Sequence, residues 1–103
     1  MPKLKVTESA EKDLKEIWEY ITDKSSEGSA TKVLATITSK FVLLRDHPSL
    51  GSRQDHLLIG LRRFNVKKYV IFYQSTDDLV EIVRVVHGSR DIKGLFDRFF
   101  ESL

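Results

Sequence analysis

Three runs of β-forming residues fall within residues 61–87, joined by connections only a few positions long, and this constrains the fold more than any other feature of the chain. Residues 61–66 form the first run, Tyr69-Val-Ile-Phe-Tyr73 is almost wholly β-branched and aromatic, and residues 79–87 form the third. Lys67-Lys68 and Ser75-Thr76-Asp77-Asp78 supply the turn signals between them. A parallel pair needs a crossover of roughly a dozen residues or more, so neighbours joined this closely must be antiparallel. The spacing therefore predicts a meander.

The segments before it have a helical period. Residues 3–6 alternate polar and apolar as a short strand would, and Thr7 is placed to cap a helix with Glu8 and Glu11 near its positive end. Ala10, Leu14, Ile17, Trp18 and Ile21 share one face of that helix, and Glu, Lys and Asp fill the other. Residues 25–29 read as a loop, so the helix is expected to end near Lys24. A second amphipathic helix aligns Ala30, Val33, Leu34, Ile37, Phe41 and Leu44 and stops at Asp46-His47-Pro48. So short a link makes the two an antiparallel hairpin. Residues 48–60 show no period and read as loop. Asp91 is a candidate cap for a last helix carrying Ile92, Leu95, Phe96, Phe99, Phe100 and Leu103, whose apolar face is expected to dock on the sheet. The order is β-α-α-β-β-β-α in a single domain spanning 1–103. The expected class is α+β, a helical hairpin packed on a small antiparallel sheet with a C-terminal helix.

Composition removes several functions. The 103 residues suit one core, and the absence of cysteine excludes disulfides, thiolate metal sites and cysteine nucleophiles. No apolar run approaches the roughly 18 residues a spanning helix needs, and the N-terminus lacks a signal-peptide core, so the expected location is the cytoplasm. Seventeen basic against fifteen acidic side chains give only +2. The basic excess is local: residues 53–68 hold Arg53, Arg62, Arg63, Lys67 and Lys68 against Asp55.

The residue types for catalysis are sparse. His47, His56 and His87 lack the spacing that sets two imidazoles on one helical face, so no metal is expected. The serines sit in loops or ends without a G-x-S-x-G elbow, and no glycine-rich phosphate loop occurs, so neither a serine hydrolase nor a nucleotide cofactor is expected. Asp77-Asp78 reads as turn chemistry. Arginines remain. Arg62 shares a strand face with Phe64 and Val66, so it must be paired or reach an edge, and Arg63 points the other way. Arg84 meets the same difficulty beside Val80, Ile82 and Val86. Arg62, Arg63, Arg84 and Arg90 are expected to gather around one rim of the sheet, where planar guanidinium forks suit phosphate or carboxylate.

Five segments also carry a resemblance. Asp13-Leu-Lys-Glu-Ile-Trp-Glu-Tyr-Ile21, His47-Pro-Ser-Leu-Gly51, Gly60-Leu-Arg-Arg-Phe64, Tyr69-Val-Ile-Phe-Tyr73 and Val83-Arg-Val-Val-His-Gly-Ser-Arg-Asp91 occur in order over about residues 3–96. Together they resemble the RelE/ParE superfamily of toxins from type II toxin–antitoxin modules, its ParE branch most closely. The resemblance implies a growth inhibitor held inactive by a cognate, ParD-like antitoxin that covers part of the helical hairpin and a sheet edge, with Trp18, Tyr20, Phe99 and Phe100 as anchors. ParE-like members are expected to bind and poison DNA gyrase without chemistry or cofactor. RelE-like members cleave messenger RNA on the ribosome, often with a late tyrosine. No tyrosine follows Tyr73 here, and the last helix has phenylalanines instead, which favours the gyrase reading over the ribonuclease alternative. Arg62, Arg63 and Arg90 match family positions best as target contacts, with Arg53, Lys67 and Lys68 behind them. Neutralising Arg62 and Arg63 together is expected to relieve toxicity without unfolding the domain. Lys67-Lys68 departs from the family, which often has glycine in that turn.

Overall fold

Thr7 does the capping work expected of it. In the computed structural model, which describes residues 2–101 and side chains as far as Asp97, its Oγ1 accepts the Ala10 N–H at 3.1 Å and starts α1 (Glu8–Lys24). Strand β1 (Lys3–Val6) precedes it, and α2 (Glu27–Asp46) follows after only Ser25 and Ser26. Residues 25–29 are thus mostly helix, because the Ser26 hydroxyl accepts the Ser29 N–H at 3.1 Å and so begins α2 earlier than Gly28 suggests. Strands β2 (Ser52–Arg53), β3 (Arg62–Val66), β4 (Tyr69–Ser75) and β5 (Leu79–His87) then lead to α3 (Ile92–Glu101).

The sheet has five strands in the order β1-β5-β4-β3-β2. The β3–β4–β5 meander is antiparallel as expected. The expectation of a wholly antiparallel sheet needs correction, because β1 runs parallel to β5, with Leu4 opposite Val80 and Val6 opposite Ile82. Its partner lies far along the chain, so short-connection reasoning does not apply to it. β2 is an addition within the segment read as loop, two residues paired with Arg62 and Arg63.

Both faces of the sheet are covered. The hairpin packs Ala10, Ile17, Ile37, Phe41 and Leu44 on Val66, Ile71, Tyr73, Val80, Ile82 and Val85. The other face holds Leu61, Val70, Phe72, Val83 and Val86 under Leu95 and Phe96 of α3, with Phe96 edge-on to Phe72 at 4.9 Å. Ile92, Leu95 and Phe96 of the last helix therefore dock on its own sheet, as expected, while the side chains of Phe99, Phe100 and Leu103 lie outside the described residues.

An irregularity in β5 sets this distribution. Phe72 faces Arg84 but Tyr73 faces Ile82, leaving Val83 as an extra residue. Val85 consequently faces the hairpin and Val86 the α3 side, so the sequence reading of Val86 beside Val80 and Ile82 is corrected. The Val83 carbonyl is satisfied by the Thr7 hydroxyl at 2.9 Å, and the Ile82 carbonyl by the Thr7 N–H at 3.1 Å. One residue thus caps α1 and ties it to the bulge.

At the β3–β4 turn Lys67 has φ 54, a left-handed conformation that costs a side-chain-bearing residue roughly 1–2 kcal/mol. Lys67→Gly is expected to raise stability by about 0.5–1 kcal/mol in urea denaturation, once glycine's larger unfolded-state entropy is subtracted. A loss of stability instead would show that packing of the lysine stem outweighs the backbone strain.

Candidate functional site

The arginines do not form one rim. Arg62, at the start of β3, turns its guanidinium back so that Nη1 donates to the Gly51 carbonyl at 2.7 Å. Gly51 in turn donates its N–H to the Tyr73 hydroxyl at 2.7 Å, and that hydroxyl donates to the Pro48 carbonyl at 2.7 Å. The His47-Pro-Ser-Leu-Gly51 segment is thereby tied to β3 and β4 through two side chains. Burial raises the Tyr73 phenol above its usual value, an effect the Gly51 bond partly opposes. Removing Arg62 thus also removes a bond of the fold, so Arg63 is the cleaner probe of target contact. Arg63 lies on the other face, over the Phe72 ring at 5.9 Å and with Nη2 donating to Asn65 Oδ1 at 3.2 Å. Arg53 pairs with Asp55 at 2.9 Å beside them.

Arg84 is engaged elsewhere. Its Nε and Nη2 donate to the two carboxylate oxygens of Asp13 at 2.7 and 2.8 Å, and the Val85 N–H adds a third bond to Oδ2 at 2.9 Å. The Asp13 bonds push the Arg84 pKa above its already high value. Asp13 is 4% exposed, so the assignment of this Asp to the solvated face of α1 was incorrect. The signal was present: Asp13 lies three residues after Ala10 and four before Ile17, on the core stripe.

The other cations meet a groove. A cleft of about 890 Å³ runs between the hairpin and the β3–β4 turn. Ile17, Tyr20 and Ile21 of α1 and Val33 and Ile37 of α2 make its apolar wall, while Lys67, Lys68, His87 and Arg90 stand at the sheet side. Tyr69 presents its ring edge to His87 at 5.6 Å, and the His87 Nδ1 meets the Ser89 Oγ at 2.7 Å and accepts the Ser89 N–H at 3.1 Å. Burial raises the Tyr69 phenol. Tyr20 is 63% exposed along the wall.

The two residue sets expected from the sequence are therefore redistributed. Lys67, Lys68 and Arg90 sit with Tyr20 in the groove, whereas Arg53, Arg62 and Arg63 occupy the opposite end of β3. Trp18 is half-buried and belongs to neither core cluster, so its place on the core face is corrected. The side chains of Phe99 and Phe100 lie outside the described residues. Among the described residues no group of three or more His, Asp or Glu side chains converges to hold a metal ion, and no helix is long and apolar enough to cross a membrane.

Comparisons with known proteins agree with this architecture. Residues 4–92 match the family described as the ParE toxin of the type II toxin–antitoxin system parDE. Toxin ParE1 of Caulobacter vibrioides is 27% identical over 93 residues, which cover 90% of this chain and 96% of that protein. The chromosomal ParDE system from P. aeruginosa contains a chain of similar fold, with TM-score 0.75 at 19% identity over 84% of this chain and 96% of that one. A chain of the RelBE2 toxin–antitoxin complex from Mycobacterium tuberculosis superposes with TM-score 0.63 at 22% identity, over 84% of this chain and 99% of its own length.

Proposed function

This chain belongs to the ParE toxin family of type II toxin–antitoxin systems, and from that premise we propose that it arrests growth in the cytoplasm by binding and poisoning DNA gyrase. The observation that carries the reading is the family match across nearly the whole chain. The fates of two rings support binding over cleavage. The Tyr73 hydroxyl is buried and committed to Gly51 and Pro48, and Phe96 packs against Phe72 in the α3 segment where the resemblance to RelE-like enzymes would call for a phenol. In this reading the groove beside Tyr20 receives a ParD-like antitoxin, whose apolar side chains meet the α1–α2 wall and whose acidic groups meet Lys67, Lys68 and Arg90.

The test is a plasmid supercoiling reaction with purified gyrase and ATP, run beside messenger RNA on translating ribosomes. Loss of supercoiling or accumulation of linear plasmid is the expected result. Intact supercoiling together with cut messenger RNA would replace it with the RelE-like ribonuclease reading, a fold likeness that the RelBE2 superposition keeps in view.

A further inference from the structure

Among the described residues Ile59 is 84% exposed, more than the other exposed large apolar side chains, Tyr20, Val42 and Leu50. It sits in the segment between β2 and β3, whose backbone is tied from several directions. The Asp55 carboxylate accepts the Gly60 N–H at 2.9 Å through one oxygen and the Arg53 Nε at 2.9 Å through the other. Those bonds, the Gly60 bond foremost, hold the Asp55 carboxyl below its usual pKa. Gln54 N–H donates to the Leu61 carbonyl at 2.8 Å, Leu61 N–H to the Leu58 carbonyl at 2.9 Å, and Gln74 Nε2 to the Ile59 carbonyl itself at 3.1 Å. Leu57 and Leu58 turn inward to the α3-side core while Ile59 turns out.

Single exposed apolar residues are ordinary on protein surfaces. Three things set this one apart. Its loop is held in place, so little ordering entropy remains to be lost on binding. Leu50, 51% exposed, stands at the same end of the sheet, just before the Gly51 that Arg62 and Tyr73 hold. Arg53, Arg62 and Arg63 occupy that end too, and residues 50–66 hold one carboxylate, Asp55, whose pairing with Arg53 leaves Arg62 and Arg63 without an acidic partner in that stretch. Rigid apolar anchors beside arginine are the chemistry of interface centres, and the charge calls for an acidic counterpart.

We infer that Ile59 is the apolar anchor by which the toxin seizes its protein target, entering a pocket rimmed by carboxylates that the β3 arginines, Arg63 foremost, meet. The inference rests on the reading of a protein target proposed above. Ile59→Ser, with Val42→Ser on α2 as the control, tests it in the gyrase supercoiling reaction and in growth arrest after expression. The expected result is that Ile59→Ser melts like the wild type yet needs about tenfold more protein or greater for half-inhibition, while Val42→Ser inhibits normally. Undiminished inhibition by Ile59→Ser would overturn the anchor and leave the gyrase reading standing. If the wild type spares gyrase, that reading fails alone and growth arrest decides: loss in Ile59→Ser supports the anchor, and retention overturns it. A wild type that neither arrests growth nor inhibits gyrase overturns both. Binding of the free chain to a short DNA duplex that is lost in Arg63→Ala and kept in Ile59→Ser would also overturn it, by making this end a nucleic-acid surface.

Discussion

Asp13→Ala is expected to destabilise the domain by about 3–5 kcal/mol, the largest effect of any single polar change in this chain. The carboxylate accepts three bonds at 2.7–2.9 Å, two from Arg84 and one from the Val85 N–H, and it is 4% exposed. Truncation leaves a half-buried guanidinium without its counter-charge and a buried N–H without an acceptor. Both losses fall at the β5 bulge, where Thr7 already supplies the bonds that the sheet cannot. A small domain has only about 5–15 kcal/mol in total, so the melting temperature should fall by roughly 15 °C or more. The arginine stays charged throughout the accessible pH range, so the deficit should not be recovered by titration. Asp13→Leu combined with Arg84→Met should recover most of it, because replacing both ions by apolar side chains removes the desolvation cost together with the attraction. A loss below about 1 kcal/mol in Asp13→Ala would show that the pair behaves as an exposed one.

Gly51→Ala is expected to cost about 3 kcal/mol, for a steric reason. A Cβ there would lie 2.5 Å from the Tyr73 hydroxyl, 2.7 Å from its Cε1 and 2.8 Å from the Arg63 carbonyl. Tyr73 is fully buried and the Arg63 carbonyl is β3 backbone, so neither yields cheaply. Overpacking alone costs typically about 1–3 kcal/mol, and shifting the loop weakens bonds worth roughly 1 kcal/mol each. Tyr73→Phe alone should cost about 1–3 kcal/mol, because it leaves the Gly51 N–H and the Pro48 carbonyl without their partner. Removing the hydroxyl also removes the shortest of the three contacts, so the double variant should lose less than the sum of the singles. Additive losses in chemical denaturation would refute the steric account.

The groove and the knot around Tyr73 differ in how far the sequence announced them. His47-Pro-Ser-Leu-Gly51 stood out as a motif, yet nothing in its spacing says that it exists to hold a tyrosine twenty-odd residues away. Arg62 was expected to need a partner because it shares a face with Phe64 and Val66, and it has one. That the partner is a backbone carbonyl rather than a ligand follows only from how the loop returns. Lys67 and Lys68 are far from Arg90 in the chain and meet it because β3, β4 and β5 form an antiparallel meander that brings the β3–β4 turn to the end of β5.

Local chemistry therefore determined the elements. The period of α1 and α2, the Thr7 cap and the short links among β3, β4 and β5 fixed two helices and a meander, because each depends on residues within a few positions of one another. Three matters were decided only by tertiary structure. β1 chose β5 as a parallel neighbour, the bulge at Val83 turned Val86 to the α3-side core and Val85 to the hairpin, and Asp13 turned inward to Arg84 across 71 positions of sequence. Each depends on a free-energy balance between distant groups, which no short window of the chain contains.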